Sequence, residues 1–209
     1  MTYDALIVDF GPVGATITNL LARRGLRVGV VEAEFEIYDK PRAITHDHEV
    51  MRIYQACGLA DRIATFTAAH PGTHYLGIDG RVIKQVESLP PPYPLAWPPT
   101  GTFVQPEVER LLRQGVAECA AVDVFLGHSG IDFTQDDHGV MLTVRDVVQG
   151  KERVLQAHTL LGCDGANSFV RGALGSDYLD LGFRFDWLVV DVIPREVRRW
   201  EPLNWQLCD

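Results

Sequence analysis

Asp4-Ala-Leu-Ile-Val-Asp-Phe-Gly-Pro-Val-Gly14 is the stretch that decides the fold of this sequence. The apolar run from Ala5 to Val8 fits a strand that is buried on both faces of a sheet. Apolar residues then recur at helical spacing until Gly25, and a second apolar run ends at Glu32. Strand, helix and strand in this order predict two parallel strands joined by a right-handed crossover.

The turn after the first strand has part of the glycine pattern that binds dinucleotides. That pattern needs one glycine for the tight turn, one for close approach of the pyrophosphate, and one for packing the helix against the strand. Gly11 and Gly14 supply the second and third, and Asp9 stands in the first position. Glu32 is expected to accept hydrogen bonds from ribose hydroxyls, which favours FAD or NAD. The Asp9 carboxylate is expected to repel the pyrophosphate from the helix N-terminus.

Composition and net charge exclude several classes of protein. The 209 residues are 46% hydrophobic and 22% charged, which is typical of a globular chain. A formal net charge of −9 without a basic stripe argues against a nucleic-acid partner. The four cysteines form no CxxC pair, no apolar stretch is long enough to span a bilayer, and no signal peptide precedes the first strand. We therefore expect a cytoplasmic protein that binds neither nucleic acid nor a membrane.

A proline-rich region interrupts the predicted nucleotide-binding domain. Residues 71–100 carry many of the prolines and a hairpin signal across Asp79 and Gly80. Pro106 opens a helix, residues 122–126 and 154–161 predict strands, and residues 131–144 predict a second hairpin. We expect an α/β fold that contains a Rossmann-like domain with a parallel sheet and a β-hairpin or meander insertion. This domain would comprise residues 1–70 and 101–175. Residues 71–100 and 176–209 would belong to a second, β-rich domain.

Two motifs taken together resemble the flavoprotein monooxygenase family, whose members hydroxylate aromatic rings. One is the glycine turn, and the other is Gly162-Cys-Asp-Gly-Ala-Asn-Ser-Phe-Val-Arg171. The resemblance extends through Pro41-Arg-Ala43 and Phe103-Val-Gln-Pro106. Residues 103–112 and 184–209 look most like the hydroxylases of 3-(3-hydroxyphenyl)propionate and related phenols. The resemblance implies that the Rossmann-like domain is FAD-binding and that the β-rich segments are the beginning of a substrate domain.

The resemblance also implies a cofactor site. Gly11 and Gly14 would bring backbone N–H groups to the FAD pyrophosphate, and Arg42 would supply a fixed cation there. Gln105 would hydrogen-bond ribityl or phosphate oxygens, the backbone near Val124 would meet the adenine, and Asp164 would orient its own turn. The expected cofactor-binding set is Gly11, Pro12, Val13, Gly14, Glu32, Ala33, Arg42, Gln105, Val124 and Asp164. Ser168 and Arg171 are expected to hold the turn and helix of the second motif together.

No catalytic side chain follows from the resemblance, because in this family the cofactor carries the chemistry. No metal site is expected at His46-Asp-His-Glu49, since this stretch has no recognised metal-ligand spacing.

The implied reaction uses NADH or NADPH to reduce FAD and O2 to hydroxylate a phenolic acid. A third family motif, a turn of the G-D-A-A-H kind, does not occur in the 209 residues. We therefore expect a fragment or truncated chain that is inactive alone, which leaves open a homo-oligomer or a missing C-terminal half. Two alternatives remain: an NAD(P)-dependent reductase, and a non-catalytic remnant that keeps the fold but binds no cofactor.

Overall fold

A computed structural model of the protein describes residues 2–40, 42–186, 188, 190, 192, 194–196 and 203–208. The strands are β1 Thr2–Val8, β2 Val28–Glu32, β3 Thr45–Asp47, β4 Thr67–Ala69, β5 Thr73–Leu76, β6 Val82–Val86, β7 Thr100–Phe103, β8 Val122–Leu126, β9 His128–Asp136, β10 Gly139–Asp146, β11 Glu152–Gly162 and β12 Asn204–Leu207. The helices are α1 Pro12–Ala22, α2 His48–Ala56, α3 Ala60–Ala64, α4 Gln105–Ala117 and α5 Phe169–Ala173.

The central element is a six-stranded sheet in the order β8-β2-β1-β11-β10-β9. Its first four strands are parallel, and β9, β10 and β11 form an antiparallel meander. The crossover from β1 to β2 runs through α1, as the N-terminal sequence predicted. The expected α/β fold, a Rossmann-like parallel sheet with a hairpin or meander insertion, is confirmed.

Two hydrophobic clusters cover opposite faces of this sheet, because successive side chains of a strand alternate between faces. Ile7 of β1 lies in the cluster beneath the helices, together with Leu112 of α4. Leu6 lies in the other cluster, together with Leu142 of β10. Both Leu6 and Ile7 are fully buried, so β1 is covered on both sides as its apolar run predicted. Burial of each such side chain stabilises the fold by about 1.5–3 kcal/mol.

Two small sheets lie outside the central one. The first has the order β3-β7-β4 and the second the order β12-β5-β6. The hairpin predicted across Asp79 and Gly80 is confirmed, with β5 and β6 antiparallel and Gly80 at φ 76°. Strand β12 was not predicted; it pairs in parallel with β5, more than 120 residues earlier in the chain. This pairing joins residues 71–100 to the described part of residues 176–209.

Among the residues that the structure describes, no helix is both long enough and apolar enough to cross a membrane.

Candidate functional site

The carboxyl ends of β1, β2 and β11 meet around a cavity of about 200 Å³. Strand β1 has β2 on one side and β11 on the other, and ligands of open α/β sheets bind outside the carboxyl ends of such strands. Three of the residues predicted for the site, Glu32, Ala33 and Asp164, line this cavity together with Asp9. The fold therefore brings the two separated sequence motifs to one edge of the sheet.

The glycine turn places the start of α1 at the carboxyl edge of the central sheet. Gly11 is the N-cap of the helix and has no side chain with which to cap it, and Pro12 occupies the first turn. A Cβ atom on Gly14 would lie 2.0 Å from the backbone oxygen of Asp9, so only glycine fits where the helix approaches the preceding turn. Val13 between them is 66% exposed. An uncapped helix start of this kind attracts anions.

Glu32 ends β2 as a buried carboxylate with fixed geometry. Its Oε2 accepts a hydrogen bond from the backbone N–H of Phe10 at 2.8 Å, and its Oε1 accepts one from the N–H of Glu34 at 2.8 Å. Each carboxylate oxygen can accept a further hydrogen bond. The arrangement suits a donor pair such as the two hydroxyls of a ribose.

Arg113 of α4 supplies the cation nearest to this carboxylate among the described residues. Its Nη2 lies 3.9 Å from Glu32 and 2.8 Å from the buried Glu109, and its guanidinium stacks on the ring of Phe10 at 4.8 Å. Burial raises the pKa of Glu109, and the charge of Arg113 opposes that rise. Sequence reasoning missed Arg113, because its partners Glu32 and Phe10 are distant in the sequence.

Asp9 occupies the first position of the turn with φ 82°, a left-handed conformation that favours glycine. Its Oδ2 accepts a hydrogen bond from the N–H of Gly11 at 3.0 Å. Burial raises the pKa of the Asp9 carboxyl, and the neighbouring carboxylates of Glu32 and Asp164 raise it further, against the opposing effects of the Gly11 amide and of Arg113. The expected proximity of Asp9 to the helix start is confirmed.

Asp164 organises the loop that follows β11. Its Oδ1 accepts a hydrogen bond from the hydroxyl of Ser168 at 2.6 Å, and its Oδ2 accepts one from the N–H of Val170 at 3.1 Å. Ser168 also caps α5, and Arg171 donates to the carbonyl of Ala166, so these residues hold turn and helix together as predicted.

The neighbouring Cys163 is half-buried, and burial raises the pKa of its thiol to about 11, with smaller contributions from Asp9 and Asp164. This thiol therefore stays protonated near neutral pH.

Arg42 and Gln105 are linked to each other, away from the cavity lining. The Oε1 of Gln105 accepts hydrogen bonds from the N–H groups of Arg42 and Ala43, both at 2.8 Å. The Arg42 guanidinium lies over the ring of Tyr38, 4.9 Å from its centroid. Gln105 thus holds the loop that carries Arg42, and its own amide nitrogen can still donate. The sequence motif predicted both residues but not their contact.

Val124 is not brought to the cavity. It lies in the middle of β8, paired with Val30, whereas Glu32 pairs with Leu126 at the end of that strand. The stretch that does line the cavity is His128-Ser-Gly130, at the start of β9. A glycine inside a strand often marks close approach of another group, and this signal could have directed attention to Gly130. A Cβ atom there would lie 3.2 Å from the ring of Phe169.

The described residues fit the adenosine end of a dinucleotide at two points and oppose it at one. Glu32 offers fixed acceptors for ribose hydroxyls, and the close approach at Gly14 presents the uncapped start of α1. Asp9 opposes binding of an anion, because its carboxylate accepts the Gly11 N–H and places a negative charge beside the start of α1.

Comparison with known proteins identifies relatives of this chain. A 3-(3-hydroxy-phenyl)propionate/3-hydroxycinnamic acid hydroxylase of Comamonas testosteroni is 37% identical over 189 residues, which are 90% of this chain and 32% of that protein. A hydroxylase of the same name from Burkholderia vietnamiensis is 34% identical over 90% of this chain and 30% of its own length. The chain therefore spans about a third of the length of these relatives.

Solved structures share the fold. The rebeccamycin biosynthetic enzyme RebC with reduced flavin superimposes with a TM-score of 0.70 at 26% identity, over 84% of this chain and 35% of that one. The flavin-dependent monooxygenase PieE, solved with FAD and substrate, superimposes with a TM-score of 0.74 at 24% identity, over 84% of this chain and 32% of that one. A family described as "FAD binding domain" matches residues 2–208. Because that match spans nearly the whole chain, the protein belongs to this family of FAD binding domains.

Proposed function

We propose that this chain is the FAD-binding portion of a flavin-dependent monooxygenase that hydroxylates a phenolic aromatic acid with NAD(P)H and O2. The family match and the relatives named as hydroxylases support the class of enzyme. When bound, FAD supplies hydride acceptance and activation of O2. The chain's own residues bind the cofactor, orient it and limit access of water to it.

The single observation that carries the proposal is the geometry of Glu32. Two backbone N–H groups fix its buried carboxylate beside the uncapped start of α1. Ribose hydroxyls would donate to Glu32 while the pyrophosphate takes the amides that open the helix. A plain βαβ turn without a ligand has no need of a buried acid held in this way, because burial of a carboxylate is costly.

The remaining predicted residues take supporting roles in this proposal. Pro12 and Val13 would form the surface of the helix start between Gly11 and Gly14, and Ala33 would border the ribose beside Glu32. Arg42 would bind a pyrophosphate oxygen from the loop that Gln105 holds, and the Gln105 amide nitrogen would donate to the cofactor. Asp164 would shape the opposite wall of the cavity. Val124 would act only through the strand that carries it.

FAD titration of the purified chain tests the proposal. Glu32→Gln removes the charge, and a hydrogen bond to a charged group contributes at least about 1.5 kcal/mol, so the variant should bind FAD about tenfold more weakly. Glu36→Gln is the matched control, because it makes the same charge change at an exposed position four residues along. Equal FAD affinity of both variants would remove Glu32 from the site, and a wild-type chain that takes up no FAD would refute the proposal.

Hydroxylation itself needs a separate assay. We propose that the 209 residues alone do not hydroxylate, because no turn of the G-D-A-A-H kind occurs among them to enclose the flavin ring. NADH or NADPH oxidation is measured with the FAD-loaded chain and a phenolic acid, together with analysis of the aromatic product. Formation of hydroxylated product would contradict this part of the proposal while leaving FAD binding intact.

One observation favours a second candidate function, a remnant that keeps the fold but binds no cofactor. It is the Asp9 carboxylate on the Gly11 N–H. A ligand that binds only the folded state raises the melting temperature, so an unchanged melting temperature with excess FAD would favour the remnant. Saturable NADH binding without flavin binding would instead favour an NAD(P)-dependent reductase.

We also propose the division into an FAD-binding domain, residues 1–70 and 101–175, and parts of a substrate domain, residues 71–100 and 176–209. The parallel pairing of β12 with β5 supports it, since that small sheet draws its strands only from the latter two segments. A cytoplasmic location is supported by the four cysteines, all within the described residues and all unpaired.

A further inference from the structure

The carboxylate of Asp9 is held where a ligand's anion would bind. Its Oδ2 accepts the N–H of Gly11, the N-cap of α1, and Gly11 itself has no side chain with which to cap the helix. A Cβ atom on Gly11 would lie 2.9 Å from the same oxygen, which shows how closely the carboxylate covers the turn. A carboxylate and a phosphate compete for the same kind of helix start, because both are anionic hydrogen-bond acceptors.

The surroundings of Asp9 carry more negative than positive charge. The titratable and charged groups that face it are Glu32 at the end of β2, Cys163 and Asp164 after β11, and Glu109 and Arg113 on α4. The one cation among them is shared, because Arg113 contacts Glu109 at 2.8 Å and approaches Glu32 at 3.9 Å. Addition of a pyrophosphate to this edge would bring its negative charge against Asp9 and three further carboxylates, and Arg113 is the one cation among the groups that face Asp9.

We propose that Asp9 makes dinucleotide binding conditional on proton uptake: its ionised carboxylate keeps the Gly11 N–H from the pyrophosphate, and its protonated carboxyl releases that N–H. The inference rests on the proposed function, since it concerns FAD binding at the same turn. A protonated Asp9 carries no charge to repel the ligand, and its hydroxyl can donate to a phosphate oxygen. The half-buried, acid-lined position of Asp9 favours this protonated form.

The direction of the pH dependence follows from linkage. If FAD binds the form with protonated Asp9, then binding takes up a proton whenever Asp9 is ionised in the free chain. FAD affinity should therefore rise as pH falls, by about tenfold per pH unit above the pKa of Asp9. The pyrophosphate of FAD stays ionised across this range, so the ligand does not contribute the same trend.

The test compares wild-type chain with Asp9→Asn and Asp9→Gly. Asparagine is nearly isosteric with aspartate, cannot ionise and tolerates positive φ, and glycine is the residue that the turn geometry favours. Asp137→Asn is the matched control, because it removes one carboxylate at an exposed turn between β9 and β10. Thermal denaturation of each variant without FAD shows that it folds.

FAD affinity is measured from about pH 5 to pH 8 at constant ionic strength, and proton uptake is measured from the dependence of the binding enthalpy on the buffer. Wild type and Asp137→Asn should lose affinity with rising pH and take up about one proton, whereas Asp9→Asn and Asp9→Gly should bind tightly at every pH without proton uptake. Binding by Asp9→Asn or Asp9→Gly without binding by wild type at any pH would contradict the inference, because protonation of Asp9 would then not open the site. FAD binding by wild type and Asp9→Asn with the same pH profile would overturn the inference and leave the proposed function standing. Absence of FAD binding in every variant at every pH would overturn both.

Discussion

Gly14 permits one close approach on which the turn geometry depends, and replacing it with alanine tests that geometry directly. A Cβ atom at this position would lie 2.0 Å from the backbone oxygen and 3.0 Å from the carbonyl carbon of Asp9. Because the obstacle is backbone, it cannot rotate away, and the turn must open by about 1 Å. Overpacking of this kind costs about 1–3 kcal/mol, whereas the higher helix propensity of alanine returns up to about 1 kcal/mol.

We therefore expect Gly14→Ala to lower the free energy of unfolding by about 2 kcal/mol. For a chain of this size that corresponds to a fall in melting temperature of about 4–8 °C. The variant should also bind FAD more weakly, because the start of α1 moves. Gly172→Ala is the matched control: Gly172 also lies in a helix, α5, and a Cβ atom there would have no atom within 4 Å. It should leave the melting temperature unchanged or raise it, since alanine reduces the conformational freedom of the unfolded chain.

The comparison uses thermal denaturation followed by circular dichroism, with both variants measured without FAD. A Gly14→Ala chain that melts at or above the wild-type temperature would refute the reasoning. In that case α1 would not pack against the Asp9 carbonyl, and the position of the helix start relative to the cavity would be wrong. Equal shifts in both variants would also contradict it, since only the space around the two glycines differs.

Three further predictions concern titratable groups. Arg113→Met should cost about 3 kcal/mol, because it leaves the buried Glu109 without its cation. It should raise the folded-state pKa of Glu109 further, so urea denaturation should show a larger loss near pH 8 than near pH 5, and an equal loss at both would contradict this. Burial lowers the pKa of His46 from its ordinary value of 6.5. Neither of its ring nitrogens has a hydrogen-bond partner among the described residues. The wild-type chain should therefore lose stability as the pH falls below 6.5, because protonation of His46 is less favourable in the folded state. His46→Leu should flatten this dependence, and an unchanged slope would refute the assignment. Cys163, with a pKa of about 11, should be alkylated by iodoacetamide near pH 8 far more slowly than free cysteine, and labelling at the rate of free cysteine, measured by mass spectrometry, would refute its burial.

The parts of the fold that sequence predicts well are those whose signals are local. The β1–α1–β2 unit follows from an apolar run, a glycine turn and helical spacing, all within Thr2–Glu32. The hairpins β5–β6 and β9–β10 follow from turn residues between alternating stretches. In each case the sequence signals lie within the one continuous segment that forms the unit.

The parts that sequence misses depend on distant partners. Strand β12 has no amphipathic alternation, and all four of its residues are exposed, so its pairing with β5 has no local signature. The same reason explains the missed contacts of the candidate site. Arg113 reaches Glu32 at the end of β2, and Gln105 holds the Arg42 loop 63 residues earlier. Residue types can suggest such roles, but only the packing of α4 against the sheet brings the partners together.

The glycine turn has to meet two requirements, close packing of α1 against the preceding turn and access of a ligand to the helix start, and a match to the glycine pattern does not distinguish them. Gly14 serves packing, because any side chain there would strike the Asp9 carbonyl, and the chain has glycine. The first position of the turn has to satisfy the backbone geometry and also leave the helix start open to a ligand. Asp9 satisfies the backbone geometry, since aspartate tolerates φ 82°. It does not leave the helix start open, because its carboxylate accepts the Gly11 N–H. The fold can therefore persist whether or not the anion site is open. Membership of the family of FAD binding domains rests on the match over residues 2–208, whereas we propose that the FAD affinity of this chain depends on the protonation of Asp9.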